Sequence, residues 1–199
     1  MISSLFSFRK GHLFAHVMKT LGFSFLIVVL FGFAEQKLIK IKVADGIKAS
    51  IPEGFVPMEP QDIAQRFPSV RAPLGAYTNQ DRVVDFSVNI SATQWQAKDF
   101  TIAQKFFKSG IYNLYDRIEM ISEGTHVIKK KNYIFFEFES RMNGKRGQVG
   151  SEEPIVNYTC IQYLVENGRT LVFAFNCPRE LRQQWQPVAQ QVMLSVRVK

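Results

Sequence analysis

The dipeptide Asn167-Gly168 constrains this chain more than any other feature, because it interrupts a run of β-branched and aromatic residues over positions 158–176. Asn-Gly readily adopts the positive φ angles of a two-residue hairpin turn, so it fixes where two strands fold back on each other. The register follows. Glu166 faces Arg169, Leu164 faces Leu171, Gln162 faces Phe173 and Cys160 faces Phe175 on one side of the ribbon. Val165, Tyr163, Ile161 and Thr159 face Thr170, Val172, Ala174 and Asn176 on the other. Both sides are largely apolar, which a sheet with one wet face does not tolerate, so each side needs a cover.

Two helices supply the covers. After Pro178, Trp185, Val188, Ala189, Val192 and Val196 recur at helical spacing, with Arg182, Gln186 and Gln190 on other faces. Pro187 lacks an N–H, so a kink or a restarted helix is expected there. Upstream, Asp99 reads as the N-cap of a helix whose inner stripe is Phe100, Ala103, Phe107, Ile111 and Leu114. Phe107 and Trp185 are therefore expected on opposite faces of one sheet.

The remaining elements are strands and turns. Residues 37–44 and 47–51 form a hairpin about Asp45-Gly46, and a short helix over 60–67 is stopped by Pro68. Residues 74–78 and 84–91 form a second hairpin, and strands follow over 118–122, 125–128 and 133–141 before a glycine-rich, charged loop at 143–154. The sum is one α+β domain over 35–199, a mostly antiparallel β-sheet flanked on both faces by helices in an α/β/α sandwich. A length of 199 residues, 46% of them hydrophobic and eighteen of them Phe, suffices for such a core.

Residues 1–34 differ in kind. They hold Arg9, Lys10 and Lys19, no acid, an apolar run over 21–33 and the small residues Gly32 and Ala34, which is the pattern of a secretory signal peptide cleaved before Glu35. Met18 is an alternative start, and a retained N-terminal anchor is the alternative fate. The apolar run has 13 residues, short of the roughly 20 that a membrane span needs. The mature chain keeps 22 basic against 17 acidic residues, a net charge of +5 that permits weak contact with an anionic membrane surface without requiring it. Export makes nucleic acid an unsuitable partner. It also places Cys160 and Cys177 in an oxidising compartment, where neighbouring strands invite a disulfide. In the hairpin register the two are diagonal rather than opposite, so the bond requires a bulge near Pro178.

The order of elements resembles the PsbP/Mog1/DcrB-like superfamily. The resemblance is carried by Ala49-Ser50-Ile51-Pro52-Glu53-Gly54-Phe55, by Glu123-Gly124 ahead of paired strands, and by the terminal hairpin and helix ending at Ser195-Val196. Lys129-Lys130-Lys131-Asn132 departs from it, standing where an Asn-Gly type turn is expected. The resemblance implies a fold and a role as a binding or assembly factor, and it brings no catalytic residues.

Few constellations suggest chemistry. His126 is the only histidine after residue 34 and has no partner at metal-ligand spacing, so neither a metal nor a cofactor is expected. Glu137 and Glu139 share one side of a strand, where solvation competes with acid–base work. Asn143-Gly144-Lys145-Arg146-Gly147 lacks phosphate-loop spacing. Lys129, Lys130, Lys131, Arg141, Lys145 and Arg146 are candidates to gather at one end of the sheet as a weak anion-binding cluster. The expected function is that of a non-enzymatic, monomeric, exported binding or assembly factor with a protein or cell-envelope partner. The alternative is a small hydrolase or ligand carrier with a pocket beside the sheet.

Overall fold

The computed structural model describes residues 36–67, 71–143, 153–166 and 168–199. Residues 1–34, expected as a signal peptide, and Pro68, Lys145, Arg146, Glu152 and Asn167 lie outside the described residues. In chain order the elements are β1 (Leu38–Ala44), β2 (Ile47–Pro52), β3 (Val56–Pro57), α1 (Pro60–Arg66), β4 (Gly75–Thr78), β5 (Asp85–Ile90) and α2 (Phe100–Leu114). They continue with β6 (Arg117–Ile128), β7 (Lys131–Met142), β8 (Ile155–Glu166), β9 (Arg169–Pro178), α3 (Arg182–Ser195) and β10 (Arg197–Val198).

Strands β8 and β9 pair in the expected register, from Glu166 with Arg169 through Cys160 with Phe175 to Asn157 with Pro178. Gly168 takes the left-handed φ of 72° that such a turn demands. Around this hairpin seven antiparallel strands assemble in the order β3-β4-β5-β9-β8-β7-β6. Strands β1 and β2 form a separate small sheet, because β10 pairs with β2 and closes it as β1-β2-β10. The two stretches expected over 118–122 and 125–128 are one strand, β6, with a register shift between Met120 and Ser122.

The helices cover opposite faces. Ala103, Phe107 and Ile111 of α2 pack with Ile134, Phe136, Phe138, Tyr163 and Val165, whereas Trp185, Val188, Ala189 and Val192 of α3 join a separate core containing Phe86, Phe173, Phe175 and Leu164. Leu114, expected on the inner stripe of α2, is the last residue of the helix and is 69% exposed. Asp99 occupies the N-cap position without a side-chain capping bond. Pro187 lies inside a continuous α3, five residues in from Arg182 rather than in a restarted first turn.

Two of the segments that carried the resemblance, 49–55 and the terminal hairpin and helix, meet in space. Phe55 stacks on Phe175 at 6.1 Å between ring centroids and lies 5.7 Å from Trp185. Ser195 Oγ accepts from the Ser50 backbone N–H at 2.7 Å. The Pro-Gly-aromatic corner thus plugs the core beneath α3, while the end of α3 is tied to β2.

Candidate functional site

Alternation along β7 sends Ile134, Phe136 and Phe138 towards α2 and therefore turns Phe135, Glu137 and Glu139 towards α3. Helix α3 covers that side, so Glu137 is not the solvated strand residue that its alternation suggests: it is 4% exposed. Its carboxyl group is held entirely by donors. Tyr158 donates its hydroxyl to Oε1 at 2.9 Å, Gln186 donates to the same oxygen, and Gln190 reaches Oε1 at 3.3 Å and Oε2 at 3.1 Å. A ring of donors suits the acceptor-only, ionised carboxylate.

Glu139, one step along the strand, is held differently. It receives Arg182 at 2.7 Å and lies 3.6 Å from Arg179. Arg182, Gln186 and Gln190, spaced four residues apart, form a polar stripe beside the apolar stripe of α3, and both stripes face the sheet. Sequence reasoning missed this pairing of an i, i+2 acid pair on a strand with an i, i+4, i+8 donor series on a helix. The signal was present, since a sandwich leaves neither sheet face for solvent.

Beyond Glu137 a cavity of about 270 Å³ opens between β6, β7, β8 and the C-terminal half of α3. Ser122, His126, Glu137, Gln162 and Gln190 give it polar walls, and Phe135, Cys160, Met193 and Leu194 give it apolar ones. Gln162 is fully buried and donates to the Met193 carbonyl at 3.0 Å, which leaves its Oε1 to accept from His126 Nε2 at 3.0 Å. That amide orientation assigns the imidazole proton to Nε2, leaving Nδ1 as the lone-pair nitrogen of the neutral ring. The His126 ring stacks on Phe135 at 5.0 Å, and burial holds its pKa below the ordinary histidine value, a shift partly offset by the Gln162 bond.

The thiol here is not activated. Burial, reinforced by the Glu137 charge, pushes Cys160 up to about 12. Burial likewise pushes Cys177 up to about 12. Both cysteines are buried free thiols in the structure. The ladder runs without a shift through Pro178, so the bulge that a disulfide required is absent and the pair stays diagonal.

Among the described basic residues, Lys129, Lys130 and Lys131 lie at one end of the β6–β7 hairpin and Arg141 at the other. Lys129 and Lys130 form the two-residue β6–β7 turn with φ of 48° and 66°, and Lys131 opens β7 in an ion pair with Glu166. Arg141 stands ten residues further on, roughly 33 Å away at about 3.3 Å per residue, opposite Arg117 on β6. There Arg117, Arg141 and Arg179 mix with Glu119 and Glu139 around a groove of about 110 Å³. An open groove of about 760 Å³ beside Asn89, Ser91 and Arg169 has, among the described residues, no carboxylate, histidine or cysteine on its walls. No three His, Cys, Asp or Glu side chains among the described residues are placed to hold a metal ion.

No family model matches the chain, and no curated protein matches it by sequence. Solved structures do. The solution structure of the cyanobacterial PsbP protein CyanoP from Synechocystis sp. PCC 6803 superposes with a TM-score of 0.55 at 13% identity, over 84% of this chain and 96% of that one. The Ran-binding protein Mog1p of Saccharomyces cerevisiae gives a TM-score of 0.52 at 14% identity, over 82% and 96%. LpqN of Mycobacterium tuberculosis, described as involved in cell envelope biogenesis, gives 0.50 at 9% identity, over 83% and 92%. At these identities the likeness is one of architecture, and by that measure the chain has the PsbP/Mog1-like fold.

Proposed function

We propose that the protein is a non-enzymatic, exported binding or assembly factor acting on a protein or cell-envelope partner. The observation that carries this reading is a preformed cavity without an activated nucleophile. Its thiol stays protonated, and neither the thiol nor the Ser122 hydroxyl is hydrogen-bonded to the His126 ring, whose partner is Gln162. The groups around Glu137 hold one another in place, which suits recognition better than turnover. The likeness to a Ran-binding protein and to a protein of cell envelope biogenesis adds support at the level of fold. Export rests on the basic start, the apolar run and Gly32-Phe33-Ala34.

The test is chemical cross-linking in the producing cell, followed by mass spectrometry of the purified chain and its adducts. The expected result is a mature chain beginning at Glu35, cross-linked to one recurrent envelope or secreted protein. Ester, amide or phosphate hydrolysis that disappears in both His126→Ala and Glu137→Gln would overturn the non-enzymatic reading. A chain retaining its first 34 residues in the cytoplasm would overturn export.

A further inference from the structure

We infer that the cavity between β6, β7, β8 and α3 is a receptor for a primary ammonium group on a short aliphatic stem, presented by a lysine side chain or a free alkylamine. The inference deepens the binding reading by giving the chemistry of what is bound. Size comes first. At about 270 Å³ the cavity falls just below the roughly 300 Å³ lower end of small-molecule sites, a scale that fits an inserted side chain better than a cofactor.

Charge decides the sign. Among the described residues Glu137 is the only acidic one on the cavity wall, and no lysine or arginine lines it. Among the described residues Glu137 has no ion-pair partner, since Arg182 and Arg179 are both directed to Glu139. A buried carboxylate supported only by neutral donors remains electrostatically uncompensated, so an incoming cation gains from it and an anion is repelled. Capacity is also unequal at its two oxygens. Among the described residues Oε1 receives three donors, whereas Oε2 receives only Gln190 at 3.1 Å, so its accepting capacity is the less used of the two.

The other polar wall groups can accept as well. His126 Nδ1 has no hydrogen-bond partner among the described residues, because the bond to Gln162 uses Nε2. Ser122, which carries a hydroxyl, also lines the space. An ammonium group brings three donors and no acceptor, matching a wall whose unused capacity is for accepting. Phe135, Met193 and Leu194 provide apolar surface for the stem, and Leu194, 55% exposed, marks the solvent side.

Titration of the full-length protein with n-butylamine, n-butanol, butyrate and an Nα-acetyl-lysine amide peptide tests this, read by the His126 ring resonances in NMR and by calorimetry. The amine is expected to bind at least about ten-fold more tightly than the alcohol, the scale of one charge-assisted hydrogen bond, and butyrate not at all. Glu137→Gln should erase the amine's advantage. Leu194→Arg, which places a cation on the solvent side without touching the buried network, should weaken amine binding several-fold in a protein of unchanged thermal midpoint. Preference for the lysine peptide assigns the source to a protein, and equal affinity assigns it to any small amine. Equal binding of amine and alcohol, tighter binding of butyrate, or no binding of the amine would overturn the inference. A failed titration beside a recovered cross-linked partner would leave the binding reading standing, and the converse would separate the two in the other direction.

Discussion

The two faces of the seven-stranded sheet are covered by helices of similar length in different ways. On the α2 side the buried contact is mainly aromatic and aliphatic, with Phe107 stacked flat on Tyr163 at 4.0 Å and Trp95, Phe106 and Phe136 grouped around them, and the ion pair of Lys108 with Glu123 lies at its more exposed edge. On the α3 side one helix does two jobs. Its apolar stripe seals Phe55 and Phe175 beneath Trp185, while Arg182, Gln186 and Gln190 close over Glu137 and Glu139. An apolar cover contributes stability by area alone, whereas a polar cover must match donors to acceptors one by one. The candidate site lies where the second requirement operates.

The strongest way to break the comparison is to remove the anchor of each cover. Phe107 and Trp185 are each 6% exposed, so replacing either by Ala should cost about 3–5 kcal/mol in urea unfolding. The effects should add, because the two clusters are separate. Strong coupling in the double variant would mean that the faces are not independent.

Next in size is the polar cover itself. Glu137→Leu leaves the Tyr158 hydroxyl and two glutamine amides without an acceptor, and should cost about 1–3 kcal/mol. Adding Tyr158→Phe removes one orphaned donor and should recover part of that loss. An additive double variant would show that the hydroxyl never depended on Glu137. No comparable rescue is expected on the α2 face, where packing rather than pairing holds the helix.

The same division explains what the sequence could reveal. Asn167-Gly168 set the β8–β9 register because a two-residue turn leaves no freedom in pairing, and the stripe of α3 could be read because 3.6-residue periodicity is local. Glu137 was misjudged for the opposite reason: alternation tells which side of a strand a residue faces, and only tertiary structure tells what covers it. The small sheet was missed because two residues, Arg197 and Val198, carry no pattern of their own. The cavity depends on residues from four elements, none of which marks it alone.

A smaller effect is expected outside both faces. Lys129 and Lys130 hold left-handed φ angles at the β6–β7 turn, a conformation that costs a non-glycine residue about 1–2 kcal/mol. Asn and Gly suit those positions, so the double replacement Lys129→Asn with Lys130→Gly should raise stability by about 1–2 kcal/mol. Its effect should be independent of both Phe107→Ala and Glu137→Leu. A loss of stability would show that the lysine side chains hold the tip in a way their exposure does not reveal.

The smallest expected effect is a pH dependence confined to the α3 face. Burial depresses the His126 pKa in the folded protein, so the native state resists protonation that the unfolded chain accepts near its ordinary value of 6.5. Below that value the unfolded state binds more protons than the native state, and stability falls as pH falls from 6.5 towards the depressed folded value. Above 6.5 neither state is protonated and the contribution is complete. The slope from one such group cannot exceed about 1.4 kcal/mol per pH unit, and the partial exposure of His126 keeps it well below that limit. Glu137 and Cys160 line the same cavity, so the comparison must be made against His126→Gln, which keeps both of them and removes only the imidazole. The variant should lose the extra slope below pH 6.5 while keeping the acid limb that belongs to the carboxylates. Identical curves for the two proteins would place His126 in an environment as wet as the unfolded chain, and the cavity would then lack the dry wall that distinguishes its face from solvent.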